Sequence, residues 1–340
     1  MGSGRPVRPG REFRARFHCA LALVATAGCL FGASSNATAA GNRGAFAALD
    51  PSARATAWGV SSVVLTERSE SGRLNPAGLL RLPDREVSVS YADLFGLGLA
   101  SQTQVHAAFV FARYDYVHDG AEIEKKRLPP PGRFAFGLSI AQLRGDVGFE
   151  GDGLPDESYN ESEVGFSLAW RSLRGTYVGA QLRLLSADSD FADDAKAKAS
   201  GSTVGFGLQR DFGAFRLGAA ADNVFGSLDW NEGLDEPLPR RYSAGLGWFG
   251  FDSRIRLAGA WSALGEDGKG STVGVAFDWR PYDVCSLRGG LDRATDVGGD
   301  QWEPSAGLGF TWQGLTIDWG FRPNGNDLGT THRWSASVEI

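Results

Sequence analysis

Few side chains in this 340-residue chain have the types and spacing that chemistry needs. Beyond the first 40 residues there are three His: His106, His118 and His332. Nucleophilic catalysis requires a Ser or Cys beside a His that a carboxylate or amide orients. The nearest approach to this is His332 with Ser335. They are three residues apart in a stretch that reads as a strand, so they point to opposite faces. No catalytic residue is assigned and the chain reads as a non-enzyme. Asp188, Asp190, Asp193 and Asp194 bunch like the oxygen ligands of a calcium loop, but no Gly stands at the turn position and no Glu closes the loop. Glu150, Asp152, Asp156, Glu157 and Glu161 form a second acidic stretch. Both read as solvated loops, and neither a metal nor a cofactor is expected. The net charge of −6, with only five Lys and no Lys/Arg cluster, argues against nucleic acid as a partner.

The charges that remain are set singly into apolar segments of period 2. In Thr272–Arg280, Val273, Val275, Phe277 and Trp279 share one face, while Gly274, Ala276, Asp278 and Arg280 share the other. In Gly314–Arg322, Leu315, Ile317, Trp319 and Phe321 oppose Thr316, Asp318, Gly320 and Arg322. Such alternation means strands with one apolar face. Fourteen segments follow the pattern, near 86–94, 102–114, 133–144, 160–171, 174–186, 201–212, 214–224, 240–249, 253–263, 270–280, 284–294, 302–312, 314–322 and 331–340. Most have the length that a tilted strand needs to cross a bilayer. Links of one to three residues, such as Gly213 and Tyr282-Asp283, alternate with long ones, as in an outer-membrane barrel. The link 115–132 breaks this alternation, since its place calls for a short turn. Eight of the ten Trp (Trp170, Trp248, Trp261, Trp279, Trp302, Trp312, Trp319 and Trp334) fall on the apolar face, mostly near strand ends, as interfacial girdles would. The expected fold is all-β: a 14-stranded antiparallel transmembrane barrel over residues 86–340.

In such a barrel the polar face lines the lumen. Arg216, Asp222, Arg254, Arg256, Asp278, Arg280, Arg288, Asp292, Asp318 and Arg322 are the expected lumenal charges. They suit a hydrated interior with cross-strand Arg–Asp pairs or contacts to a plug segment, or an anion-attracting path for a substrate head group. Val275→Arg, on the lipid face, is expected to be costly, and Gly274→Ser, facing the lumen, to be tolerated better.

The N-terminal residues read differently. Arg5, Arg8, Arg11, Arg14 and Arg16 precede an apolar stretch from Cys19 to about Ala33, too short to span a bilayer, and Ala37-Thr38-Ala39 fits a cleavage site. Residues 1–39 are therefore expected to be a signal peptide, with Cys29 a poor lipoprotein site. Its removal takes five Arg and one Glu, shifting the net charge from −6 to −10, and leaves Cys285 as the one cysteine. Residues 40–85 are not strand-like. Asp50-Pro51 reads as a cap with Pro at the first helical position, starting a helix over Ser52–Trp58. Asn75, Pro76, Ala77 and Gly78 repeat the device for a short helix over Ala77–Leu82. A fourteen-stranded barrel is too wide for its own side chains to fill, so residues 40–85 are the expected hatch.

Four stretches carry a family likeness: Asp50–Gly59; Asn75–Leu79 followed by Glu86–Tyr91; Leu217–Val224 followed by Pro237-Leu238-Pro239; and Gly314–Phe321 followed by Leu328–Ser335. In that order they resemble the PorV/PorQ-like proteins of the FadL superfamily. The resemblance implies a bacterial outer-membrane location and a barrel with an N-terminal hatch. It implies one of two roles: passage of hydrophobic or amphipathic small molecules, or service to type IX secretion, with secretion-system components as partners. The chain departs from most outer-membrane barrels in ending on Ile340 rather than an aromatic residue.

Overall fold

A computed structural model describes residues 49–340 except 97, 99, 112–113, 120–121, 128–132, 148–156, 174, 190–196, 232, 234, 266–269, 297–298 and 324–328. The leader read over residues 1–39, the start of the segment read over 40–85, and much of both acidic loops lie outside the described residues.

The strands are β1 (Arg85–Asp93), β2 (Ala100–Phe111), β3 (Tyr114–Asp119), β4 (Glu122–Arg127), β5 (Phe134–Val147), β6 (Glu157–Leu173), β7 (Thr176–Ser189), β8 (Ala197–Phe212), β9 (Phe215–Trp230), β10 (Asp235–Pro237), β11 (Arg241–Gly250), β12 (Ile255–Leu264), β13 (Gly270–Tyr282), β14 (Cys285–Asp296), β15 (Gly299–Trp312), β16 (Leu315–Pro323) and β17 (Thr330–Glu339). Fourteen of them form one antiparallel sheet closed on itself. β17 pairs with β1, in register Val87↔Val338, and β9 joins β8 to β11. All fourteen segments expected from the sequence are present within a few residues. Closure removes the exposed edges that an open sheet of this size would carry.

Side-chain parity sorts the two faces. In β1, Val87, Val89 and Tyr91 are exposed while Glu86, Ser88 and Ser90 are buried. The same holds round the ring, so the apolar face points outward and the polar face inward. Trp170, Trp261, Trp279, Trp302, Trp312 and Trp334 are exposed on the outer surface. A closed barrel with this exterior suits hydrocarbon rather than water.

The anomalous link is resolved by β3 and β4. They form a two-stranded hairpin of their own, in register Tyr114↔Arg127, between β2 and β5. Two features of the wall were not expected. β6, β8 and β9 run to 17, 16 and 16 residues, against 10 each for β11 and β12. Glu161, which falls within both the expected 160–171 strand and the expected acidic stretch, is a buried lumenal residue of β6 and not part of a solvated loop. Asp188 likewise belongs to β7.

The second feature is a bulge in β9. Pairing with β8 jumps from Phe206↔Ala221 to Val204↔Phe225, with Asn223 in the left-handed region at φ 53°. β9 pairs with β11 only from Phe215 to Asp222. Beyond that point its edge meets β10.

Residues 49–82 lie in the lumen as α1 (Ala53–Trp58), a 3₁₀ turn (Gly59–Ser61), α2 (Ser62–Leu65), α3 (Ser71–Leu74) and a second 3₁₀ helix (Pro76–Arg81). Ser52, not Asp50, caps α1. Ser52 is the extended residue whose hydroxyl accepts from the Ala55 N–H, and Pro51 precedes the cap. The second expected helix is 3₁₀ rather than α and begins at Pro76, with the Asn75 side chain accepting from the Ala77 N–H.

Candidate functional site

The lumenal segment is held by polar contacts to strands all round the ring. Ser335 Oγ accepts from the Ala53 N–H at 2.9 Å, and Ser305 Oγ donates to the Ala57 carbonyl at 3.0 Å. Arg54 bridges Glu70 at 3.0 Å and Asp318 of β16 at 3.4 Å. Glu67 accepts from Arg216 of β9 and Arg256 of β12, each at 2.7 Å. Arg68 pairs with Glu86 of β1 at 2.6 Å and with Glu339 of β17. Arg73 reaches Glu163 of β6 at 3.1 Å, and Arg81 reaches Asp211 of β8 at 2.9 Å. Mostly buried charges are stable only when paired in this way. Burial alone would raise the Glu67 pKa; Arg256, Arg216 and Arg81 outweigh it and hold the carboxyl well below the usual carboxylate range.

The hatch motif sits where the wall lacks side chains. Asn75 Nδ2 donates to the Val63 carbonyl at 2.9 Å and to the Leu208 carbonyl at 3.1 Å, in addition to the cap. A Cβ on Gly207 would fall 2.2 Å from Asn75 Oδ1, and one on Gly179 would fall 2.6 Å from the Ala77 nitrogen. A Cβ on Gly78 would meet the Thr66 carbonyl at 2.7 Å. Pro76 and Ala77 thus press on strand backbone through gaps that glycines leave open.

Above the segment, toward the long-loop ends of β11 to β13, lies a cup of about 230 Å³. Its floor includes Asp50, Val60 and Val63, and its walls include Asp222, Arg241, Asp292 and Arg322. Ser243, Ser262 and Thr272 add hydroxyls. It stands beside the place where β9 parts from β11. There Asn223 ties three elements together: its Oδ1 accepts from Arg183 of β7 and from Thr203 of β8, and its Nδ2 donates to the Pro239 carbonyl at 2.9 Å.

The ten expected lumenal charges separate into groups. Arg216 and Arg256 clamp Glu67. Arg288 bridges Asp278 at 3.3 Å and Asp318 at 2.6 Å. Asp292 accepts from the Val60 N–H at 3.1 Å and from Arg322 at 3.4 Å. Asp222 accepts from Gln181 at 2.6 Å. Arg280 lies near the strand end, 3.4 Å from Asp278 and partly exposed. Arg254 is not in a strand. It stands in the turn before β12 and pairs with Asp283 of the next turn at 3.0 Å, outside the lumen.

Sequence reasoning missed Arg54, Glu67, Arg73, Glu163, Arg183, Arg241 and Glu303. For the strand residues the inward parity was available as a signal. For the segment there was none, because its side chains follow no regular period. Among the described residues, no group of three or more His, Cys, Asp or Glu is placed to hold a metal ion.

No protein-family model matches the sequence, and no curated protein matches it. Solved structures do match. The chain is similar to the CymD monoaromatic hydrocarbon channel at 12% identity, covering 86% of this chain and 97% of that one, with a TM-score of 0.60. It is similar to a Pseudomonas aeruginosa FadL homologue at 14% identity, covering 85% and 97%, with a TM-score of 0.55. It is similar to the Ralstonia pickettii toluene transporter TbuX at 15% identity, covering 85% and 97%, with a TM-score of 0.52. The fold is that of the FadL-type barrels. At these identities the likeness is one of architecture, and the narrower PorV/PorQ resemblance rests on the sequence segments that carry it.

Proposed function

We propose that the chain is an outer-membrane channel that passes hydrophobic or amphipathic small molecules, with residues 49–82 as its hatch. One observation carries this reading. The cup has a floor bound to the wall by ion pairs, while beside it the β9–β11 pairing stops at Asp222. A molecule entering the cup meets a fixed floor below and, to the side, a stretch over Asn223–Phe225 where β9 pairs with neither β11 nor β10 and Asn223 holds the connection through Pro239. The apolar exterior supports a membrane location, and the leader read over residues 1–39 supports export. The similar channels named above support transport.

The test is uptake of a fluorescent long-chain probe into liposomes carrying the purified protein. Uptake above protein-free liposomes is expected, and Asn223→Ala, which frees the Pro239 connection, is expected to change its rate several-fold. Uptake no faster than through the bare bilayer would overturn the transport reading.

A further inference from the structure

We infer that the cup selects a zwitterionic head group; this rests on the transport reading and specifies its substrate. The charges lining the cup are not evenly matched. On the side formed by β14 to β16, Arg322 is shared among three carboxylates: Asp292 at 3.4 Å, Asp50 at 3.9 Å and Glu303 at 3.9 Å. One guanidinium cannot neutralise three carboxylates, so this side carries surplus negative charge. Arg322 Nε and Asp292 Oδ1 are buried there without hydrogen-bond partners.

The side formed by β9 and β11 sets one guanidinium, Arg241, against one carboxylate, Asp222. Arg241 lines the cup and makes no side-chain hydrogen bond or ion pair with any described residue. Asp222 lies directly across the β9–β11 ladder from it and keeps its charge, since Gln181, which donates to its Oδ1 at 2.6 Å, is neutral, but it makes no hydrogen bond with the Arg241 guanidinium. Arg73, also on the lining, is already committed to Glu163 at 3.1 Å. Arg241 is therefore a guanidinium with its donors open to the cup, and Ser243 and Ser262 stand beside it as further polar groups.

Ligand charge type follows from this asymmetry. A simple anion would gain Arg241 but meet the surplus carboxylates, and a simple cation would gain the carboxylates but meet Arg241. A ligand with both charges satisfies both sides: its ammonium faces Asp50, Asp292 and Glu303, and its phosphate or carboxylate takes the Arg241 fork. A zwitterionic amphipath and a free small zwitterion share this chemistry.

The experiment is calorimetric titration of the full-length exported protein in a neutral maltoside detergent. The probes are dodecylphosphocholine below its micellar concentration, free phosphocholine, dodecyl phosphate, dodecyltrimethylammonium and dodecanol. Dodecylphosphocholine is expected to bind at least tenfold more tightly than each of the other three tailed probes. Arg241→Gln and Glu303→Gln are each expected to weaken it at least fivefold, and Arg254→Gln, in the outer turn, to leave it unchanged. Heat-modifiable gel mobility identifies variants that remain folded.

Dodecanol binding as tightly as dodecylphosphocholine, or Arg241→Gln leaving the affinity unaltered in a folded barrel, overturns the head-group inference and leaves the transport reading standing. Free phosphocholine binding as tightly as the tailed form upholds the head-group site and overturns passage of amphipaths. Binding of no probe overturns both.

Discussion

Asn75 does more than cap a helix. A lost cap alone costs about 1 kcal/mol. Asn75 is fully buried and also satisfies the carbonyls of Val63 and Leu208, which join the segment to itself and to β8. Leaving buried acceptors unpaired adds about 1–3 kcal/mol. Asn75→Ala is therefore expected to loosen the segment locally by about 2–4 kcal/mol while the barrel still inserts. Faster hydrogen exchange at residues 75–82, with unchanged exchange in β13 to β17, is the measurement. Gly274 corrects an expectation at the same scale. Val275 is 59% exposed on the outer face, and Val275→Arg is expected to cost about 2–4 kcal/mol there. The neighbouring lumenal position is not lenient. A Cβ on Gly274 would fall 1.9 Å from Asp292 Oδ1 and 2.7 Å from a Val60 methyl. Asp292 Oδ2 holds the Val60 N–H and Arg322, so Gly274→Ser must turn the Asp292 carboxylate and the Val60 side chain aside and strain those contacts. Urea-unfolding titrations in lipid vesicles are expected to show both variants destabilised. A Gly274→Ser barrel as stable as wild type would mean that Asp292 and Val60 turn aside without cost.

The lumenal segment is short for the number of anchors it carries. Its longest helices have 6 residues, too few to be stable alone. What holds it is the wall, through Arg54, Glu67, Arg68, Arg73 and Arg81 in different sectors. The Glu67 clamp sets a pH dependence. A carboxylate whose folded pKa is depressed contributes stability above its unfolded pKa, near 4.3, and loses it as pH falls toward the folded value. Burial pushes the Glu70 carboxyl upward, so the test protein carries Glu70→Gln; in it, docking of the Thr66–Glu70 stretch is expected to be indifferent to pH between about 5 and 8 and to weaken only below about 4. Protease accessibility of this stretch in detergent-solubilised barrels, followed against pH, reads it directly. Adding Glu67→Gln removes the clamped charge at every pH and is expected to give at neutral pH the accessibility that the Glu70→Gln protein shows only in acid. A transition near pH 6 would contradict the clamp.

For the whole molecule, the barrel and its filling are separable in principle. The ladder hydrogen bonds run between neighbouring strands and do not pass through the segment. Deleting residues 49–82 from the exported protein is expected to leave a heat-modifiable barrel whose lumen fills with water around its Arg, Asp and Glu side chains. In planar bilayers that variant is expected to carry a steady ionic current, while the intact protein stays closed or nearly so. A deleted barrel that conducts no better than the intact one would contradict the hatch reading. Fractionation of the intact protein with the outer membrane, and anomalous gel migration unless boiled, are the accompanying expectations. Recovery from the soluble periplasm would sink the membrane location.

The features legible in the residues alone are local and periodic. Every barrel strand is legible because one face meets hydrocarbon and the other does not, which forces Val275, Phe277 and Trp279 onto alternate positions. The caps are nearly legible because Ser52 and Asn75 act on N–H groups two or three residues away. The hairpin at 114–127 is visible only as an exception to the alternation of turns. The partners of the inward charges are not legible. Arg54 meets Asp318, Arg68 meets Glu339 and Arg256 meets Glu67 across sequence separations that only strand register and barrel closure bridge. The bulge at Asn223 and the open guanidinium of Arg241 depend on the same closure. Periodicity tells which face a residue takes, but a ring of strands decides which residues from opposite ends of the chain share the space inside it.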